Sequence, residues 1–320
     1  MRTFLKVFAA LILLLALAAG GALYAIGRYN APGPLAATHP IVVMHGAPAV
    51  LAEQLAADGV IQGIWPFRIA AFLTSGKGPL RAGEYVFPEH ASLFAVLTIL
   101  RKARPVQHKI TIPEGLTAVQ IAHILERAPA LDGDTPLPAE GEALPQTYLY
   151  NFGTTRQAVL DMARKAMDRA LAKVWATRAE GLPLASPHDL LTLASIVERE
   201  TARPEERAHI AAVFLNRLRL GMRLQSDPTV AYAVSGGQTT SDRSLTRAAL
   251  ETANPYNTYT SNGLPPGPID SPGIASLEAV ARPLASDDLY FVADGTGGHV
   301  FATTLEEHNR NVARYRAKGG

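Results

Sequence analysis

Two glutamates flanking an arginine, Glu198-Arg199-Glu200, close the apolar run from Leu190 to Val197. They are the residues of this sequence best placed to do chemistry. A carboxyl group at the end of a buried helix loses hydration, which raises its pKa unless a cation or several donors hold it ionised. Such a group can serve as a general acid near neutral pH. Helical geometry does not choose between the two. At roughly 100° per residue they stand about 200° apart, so they cannot converge on one bond as a glycosidase pair does. The plain alternative is a pair of solvated charges at a fraying helix end.

The elements that would position these acids are legible on either side. Ser186 as N-cap, Pro187 at the first helical position and Asp189 three residues after the cap predict the start of a buried helix. Pro204 to Leu220 predicts a second helix, stopped by Gly221, with a core stripe of Ile210, Val213, Phe214 and Leu218. Gln225-Ser226-Asp227-Pro228-Thr229 then reads as a polar loop, with Asp227 either a turn former or a substrate contact. Asn254-Pro255-Tyr256-Asn257-Thr258-Tyr259 combines amides, which can bond acetamido and hydroxyl groups, with tyrosine rings that can cover a pyranose face; a structural Asn/Pro turn has the same residues. Gly263 to Pro268 is too proline-rich for a helix and reads as a rigid lip. A hairpin, Leu289 to Ala293 and His299 to Thr303, and a helix from Leu305 to Ala317 complete the chain.

Several chemistries are excluded. The chain has no cysteine, which removes disulfides, thiolate metal sites and thiol catalysis. Its nine histidines lack metal spacing, and His299 and His308 fall in different elements, so no metal and no cofactor is expected. Ser195 lies inside a buried helix, without the strand–turn–helix setting of a serine nucleophile. Gly295-x-Gly297-Gly298 is a hairpin turn, not a phosphate loop. A net charge of +2 without a basic tract argues against a nucleic-acid partner.

Val7 to Ile26 is an uncharged, mostly apolar stretch of roughly the length that spans a bilayer. Arg2 and Lys6 precede it, which predicts a short cytoplasmic tail (1–6), a transmembrane helix (7–26) and everything beyond on the outer side. A cleaved signal peptide is the competing reading, because Ala16-Leu17-Ala18 has the shape of a cleavage site; the length of the run favours an anchor. A Pro/Gly/Ala linker follows (27–40). Two strand–glycine–helix units then recur, marked by Gly46 and Gly115, and Trp65, Phe67, Tyr85 and Phe87 read as core or hairpin residues. The segment 129–185 reads as a long loop and a connecting amphipathic helix.

The motifs Ala194 to Thr201, Val213 to Leu218, Gly221 to Thr229, Tyr256 to Tyr259, Gly263 to Gly267 and Tyr290 to Gly295 resemble the YceG-like family of endolytic murein transglycosylases. The resemblance runs over nearly the whole chain. It implies an α+β fold: one N-terminal transmembrane helix, LysM-like α/β modules over 41–128, and a mixed α+β catalytic domain over 186–320. It implies a single-pass inner-membrane lyase with its catalytic domain in the periplasm, acting on peptidoglycan glycan strands beside peptidoglycan synthases. The bond cut would join N-acetylmuramic acid to N-acetylglucosamine, leaving a 1,6-anhydro end. The resemblance assigns Glu198 as catalytic; Glu200, nearer the helix exit and next to Arg203, is expected to matter less. With it, Gln225, Asp227, Asn254, Tyr256, Asn257 and Tyr259 are expected to bind substrate. The chain departs from the family at Ala143-Leu144-Pro145-Gln146-Thr147, where an aromatic residue and Pro-Asp-Thr are usual, so no acid is expected to act at 146. Two alternatives stand beside this. In a muramidase, Asp227, Glu251 or Asp270 would supply a second carboxylate, about 5 Å away for retention or about 6.5–9.5 Å for inversion. A non-catalytic glycan-binding scaffold is the other.

Overall fold

The computed structural model describes residues 2–240 and 245–317. Met1 of the expected tail, the side chains of Arg2 and Thr3, and the last three residues of the expected catalytic domain lie outside the described residues. The chain divides into two compact units, one of residues 1–108 with 151–153 and one of 109–150 with 154–320.

The first unit begins with α1 (Arg2–Asn30), a continuous helix longer than the expected 7–26. Strand β1 (His39–Val43) is followed by α2 (Pro48–Ala57), α3 (Ile64–Leu73) and a turn of 3-10 helix, Ser75–Lys77. The chain then returns as β2 (Gly83–Phe87), antiparallel to β1 with His39 opposite Phe87 and Val43 opposite Gly83. Helix α4 (Leu93–Lys102) is capped by the Ser92 side chain, which accepts from the Ala95 N–H. Alternation along β1 and β2 turns Ile41, Val43, Tyr85 and Phe87 inward onto Leu55, Phe67, Leu97 and Leu100. Trp65 corrects the expectation for the four aromatic residues. It is 67% exposed, because the buried face of α3 is Phe67, Ala70 and Ala71 and Trp65 projects from the other side.

In the second unit, β3 (Gln107–Thr111) pairs with β5 (Thr147–Asn151), and β4 (Leu131–Asp132) pairs in parallel with β6 (Thr154–Thr155). Between β3 and β4 lies α5 (Ala118–Arg127), started by a capping box of Thr117 and Gln120. Then come α6 (Arg156–Ala176), α7 (Pro187–Glu200), α8 (Arg207–Arg219), α9 (Asp227–Ser235), α10 (Arg247–Glu251) and α11 (Ile274–Ala281). The hairpin β7 (Tyr290–Ala293) and β8 (His299–Ala302) precedes α12 (Leu305–Ala317).

The strand–glycine–helix repeat is present as β1–Gly46–α2 and β3–Gly115–α5. The packing does not keep the two copies together as one 41–128 block. The first copy closes on α3 and β2, whereas Ile110, Ile112, Ile121 and Leu125 of the second join the core built on α7. Asp227 and Pro228 open α9 and do not lie in a loop, as a proline near the first helical position allows.

Helix α7 is the axis of the second unit. Every residue from Leu190 to Val197 is buried, and the helix packs on α6, α8, α9 and α11. Ser195 is fully buried within it; its Oγ donates to the Thr192 carbonyl at 2.8 Å and accepts the Ile269 N–H at 3.0 Å. That bond ties the segment leading into α11 to α7. Replacing Ser195→Ala strands the buried Ile269 N–H, so urea unfolding should show a loss of about 1–3 kcal/mol with an unchanged m-value.

Candidate active site

The two glutamates leave α7 in different directions and enter different surroundings. The Glu198 side chain is 5% exposed. Its Oε1 meets Arg207 Nη2 of α8 at 3.1 Å, while its Oε2 accepts from the Gly273 N–H at 3.0 Å and from Ser276 Oγ at 2.7 Å. Gly273 is the N-cap of α11, so this carboxylate closes the start of that helix as well as an ion pair. These are the cation and donors that qualify any argument from burial alone.

Above this cluster lies the turn after β3. Glu114 stands 3.7 Å from the same Arg207 and is 45% exposed. Burial raises its pKa first, helped by the nearby Glu198 charge and opposed by Arg207. Two glycines permit the approach. A Cβ on Gly273 would lie 1.9 Å from Glu114 Oε1, and Gly115 has φ +72 with Arg199 against it. Asp270 is fully buried in the segment before Gly273, and neither of its carboxyl oxygens has a hydrogen-bond partner among the described residues. Burial, then the Glu198 charge, pushes its pKa well above the ordinary carboxylate range, against the pull of Arg199.

Glu200 occupies the opposite flank. It is half-buried, and its Oε1 accepts from Ser226 Oγ at 2.5 Å. The segment after α8 and the Asn254–Asn262 segment are stitched together beside it. Gln225 N–H donates to the Thr258 carbonyl at 3.2 Å, Ser226 N–H to Thr258 Oγ1 at 2.9 Å, and Arg223 Nη1 to the Tyr259 carbonyl at 2.9 Å. Tyr259 OH donates to Asp227 Oδ1 at 2.6 Å. Burial pushes the Tyr259 hydroxyl up, reinforced by Asp227 and then Glu200. Arg217, almost wholly buried, aims Nε at the Leu289 carbonyl (2.7 Å) and Nη1 at the Leu224 carbonyl (2.8 Å) and Gln225 Oε1 (3.4 Å). Burial pulls its pKa down against Tyr290, Tyr259 and Glu200.

Of the expected binding residues, Gln225, Asp227 and Tyr259 are therefore brought together on the Glu200 side. Tyr256 stands elsewhere, its ring 4.9 Å from that of Tyr232. Asn254 serves its own turn, Oδ1 accepting from the Tyr256 N–H at 2.9 Å. Asn257 is a correction. It is 1% exposed, and its Nδ2 donates to the carbonyls of Ala249, Leu250 and Thr252, leaving nothing to offer a sugar. Of the candidate second carboxylates, Asp270 is sealed in the core and Glu251 pairs with Arg247 in solvent on α10. Asp270 neighbours Glu198 from within the core, and Asp227 lies on the Glu200 side through its bond to Tyr259.

Sequence reasoning gave no role to Glu114, Arg207 and Ser276, nor to Arg217 and Ser226, although the last two lie within the Val213–Leu218 and Gly221–Thr229 motifs. It also missed Glu140, whose Oε2 accepts the Ala118 N–H at 2.9 Å and whose Oε1 faces Tyr232 OH at 3.4 Å. Burial pushes its pKa up to about 7, opposed by these two bonds.

With this geometry in view, the comparisons with known proteins become specific. A family model described as YceG-like matches residues 41–314. The chain belongs to the YceG-like family. It is 34% identical over 284 residues to an endolytic murein transglycosylase of Streptococcus pneumoniae, covering 74% of this chain and 51% of that protein. It is 40% identical over 178 residues to the endolytic murein transglycosylase of Bacillus subtilis, covering 56% of this chain and 48% of that one. The chain thus spans about half the length of the curated relatives it matches. A 2.6 Å crystal structure of a YceG-like protein from Listeria monocytogenes shares its architecture, with TM-score 0.53 and 30% identity over 85% of this chain and 98% of that one.

Two outcomes follow for this member of the family. Arg207→Met leaves Glu198 buried without its cation, and urea unfolding should register a loss of roughly 3–5 kcal/mol; Glu114→Gln, at the exposed end of the cluster, should cost far less. Glu140 has a folded pKa raised from 4.5 to about 7, so it favours the folded state below pH 4.5 and that contribution is lost as pH rises towards 7. A Tm series over that window should decline less steeply in Glu140→Gln than in the wild type, with the share due to Asp270 persisting in both.

Proposed function

We propose that this chain is a membrane-anchored lytic transglycosylase of peptidoglycan in which Glu200, not Glu198, is the acid/base. The observation that carries the choice is the division of the two glutamates. Both oxygens of Glu198 are engaged by Arg207, Gly273 and Ser276 under α11. Glu200 stands half-buried next to Ser226, beside the segment that carries Asp227 and Tyr259. A general acid must reach the bridging oxygen of its substrate, and a carboxylate 5% exposed within an ion pair and a helix cap is poorly placed to do so. On this proposal Glu198 supports the helices, and the acid/base part expected of it passes to Glu200.

In this reading the protonated Glu200 gives its proton to the oxygen linking C1 of N-acetylmuramic acid to N-acetylglucosamine, and the C1–O bond breaks. The resulting carboxylate takes the proton from the C6 hydroxyl of the muramoyl sugar. O6 closes on C1, no water is consumed, and Glu200 is protonated again. The sugar supplies its own nucleophile, so no second carboxylate is required. Gln225 and Tyr259 are placed to contact the sugars, and Asp227 orients Tyr259. Curated relatives named endolytic murein transglycosylases support the substrate class and the cut within strands. Helix α1, apolar over Phe4–Asn30, supports an inner-membrane anchor with the two units in the periplasm, where synthases working on the same strands are natural partners. The β1–α2–α3–β2 order is compatible with a LysM-like module that grips glycan.

Purified full-length protein acting on uncrosslinked glycan strands tests the assignment. Glu200→Gln should lower turnover by roughly 10²–10⁴-fold. Glu198→Gln, which can still accept from Gly273 and Ser276, should unfold earlier yet keep measurable turnover at a temperature where it remains folded. A folded, inactive Glu198→Gln beside an active Glu200→Gln would return the role to Glu198. Products should end in 1,6-anhydro-N-acetylmuramic acid; incorporation of oxygen from labelled water would make the enzyme a hydrolase, with Asp227 as its second carboxylate.

A further inference from the structure

Helix α3, with the sequence Ile-Trp-Pro-Phe-Arg-Ile-Ala-Ala-Phe-Leu, is apolar almost all round, which is unusual for a helix on a protein surface. One face is accounted for, with Phe67, Ala70 and Ala71 in the core of the first unit. The other is not: Trp65, Ile69, Phe72 and Leu73 are 67%, 57%, 79% and 74% exposed. At spacings of four, seven and eight residues they form one continuous stripe.

What covers this stripe follows from its neighbour. The end of α1 is fastened to the same unit, with the Tyr29 ring edge-on to Phe94 at 5.7 Å and Arg28 Nη2 donating to Gln62 Oε1 at 2.5 Å. A groove of about 570 Å³ lies between the last turns of α1 and α3, lined by Tyr24, Ile26, Tyr29, Pro66, Ile69 and Leu73. The apolar window of α1 has no part buried within the protein, so it needs an apolar surround. Val7 to Ile26 rises roughly 30 Å, the thickness of the hydrocarbon core, which puts Tyr24 at its outer edge and Gly27 to Asn30 at the level of the headgroups. Because the groove joins these turns to α3, α3 lies at that level too. Tyr24, Tyr29 and Trp65 are the residue types that settle there. Arg28 and Arg68 supply cations for lipid phosphates, the latter with its guanidinium 4.6 Å above the Trp65 ring.

We propose that α3 is a second, monotopic membrane contact: its exposed stripe and the groove beside α1 sit in the lipid interface and take up acyl chains. This rests on the reading of α1 as a retained anchor.

The chain has two tryptophans, so Trp175→Phe leaves Trp65 as the only one. That full-length variant should be reconstituted into phosphatidylcholine/phosphatidylglycerol vesicles and floated on a density gradient. Trp65 emission should shift to the blue, be quenched by lipids brominated near the glycerol end of the chain, and become protected from acrylamide. Adding Ile69→Asp and Phe72→Asp should abolish the lipid quenching while the chain still floats. If the chain floats but Trp65 remains open to acrylamide and untouched by brominated lipid, the anchor stands and the inference falls. A blue shift without lipid quenching would assign the stripe to a protein partner and equally overturns it. Failure to float removes the anchor and this proposal together.

Discussion

The second unit depends on a single carboxylate. Glu198 joins α7 to α8 through Arg207 and to α11 through the Gly273 N–H and the Ser276 hydroxyl. Three helices are thereby registered at a point where α7 has no further apolar residue to offer. A buried charge is costly unless it is paired and its remaining acceptor sites are used, and here both conditions are met. Glu114, approaching Arg207 from the turn after β3, extends the same register to the strand layer. Burial and the neighbouring Glu198 charge both push the Asp270 pKa upward.

That support leaves the opposite flank of α7 available for chemistry. The roughly 200° between the two glutamates is decisive. One acid faces inward to the helices that stabilise the unit, and the other faces the segments carrying Gln225, Asp227 and Tyr259. On the proposed assignment, Glu198 would serve the structure and Glu200 the chemistry, from opposite flanks of the same helix. The exposed stripe of α3 applies the same logic in the first unit: a face that the core does not use is the place to look for a partner.

Much of the fold was legible in the sequence, for identifiable reasons. The helix start at Ser186, the hairpin around Gly295 and the closing helix from Leu305 to Ala317 follow from capping, turn chemistry and periodicity, all local properties. The strand–glycine–helix repeat was equally legible, but its packing was not, because which core Ile110 or Ile121 joins is settled by long-range contacts. Trp65 was misplaced because a short apolar helix shows no periodic signal distinguishing its two faces. The site was half legible. Burial and spacing located Glu198 and Glu200 without choosing between them; the resemblance named Glu198, whose pairing with Arg207 only the structure reveals. Asn257 misled because an amide that closes a turn and one that binds sugar have the same sequence signature.

The two flanks also differ in how positive charge is delivered. Arg207 bonds directly to Glu198 and ends there as a structural pair. Arg217, on the same helix, directs Nε and Nη1 at the carbonyls of Leu289 and Leu224 and at Gln225, and these contacts fix its position from within the scaffold. Its charge is felt by Glu200 and Tyr259 from that fixed point. A cation anchored by backbone carbonyls does not have to move when a neighbouring carboxyl gains or loses a proton, which is what a group acting first as acid and then as base requires. The density of bonds between the Gln225 and Thr258 segments has the same consequence. It fixes Asp227, Tyr259 and Ser226 relative to one another, so that in the proposed reaction Glu200 is the group that would change state.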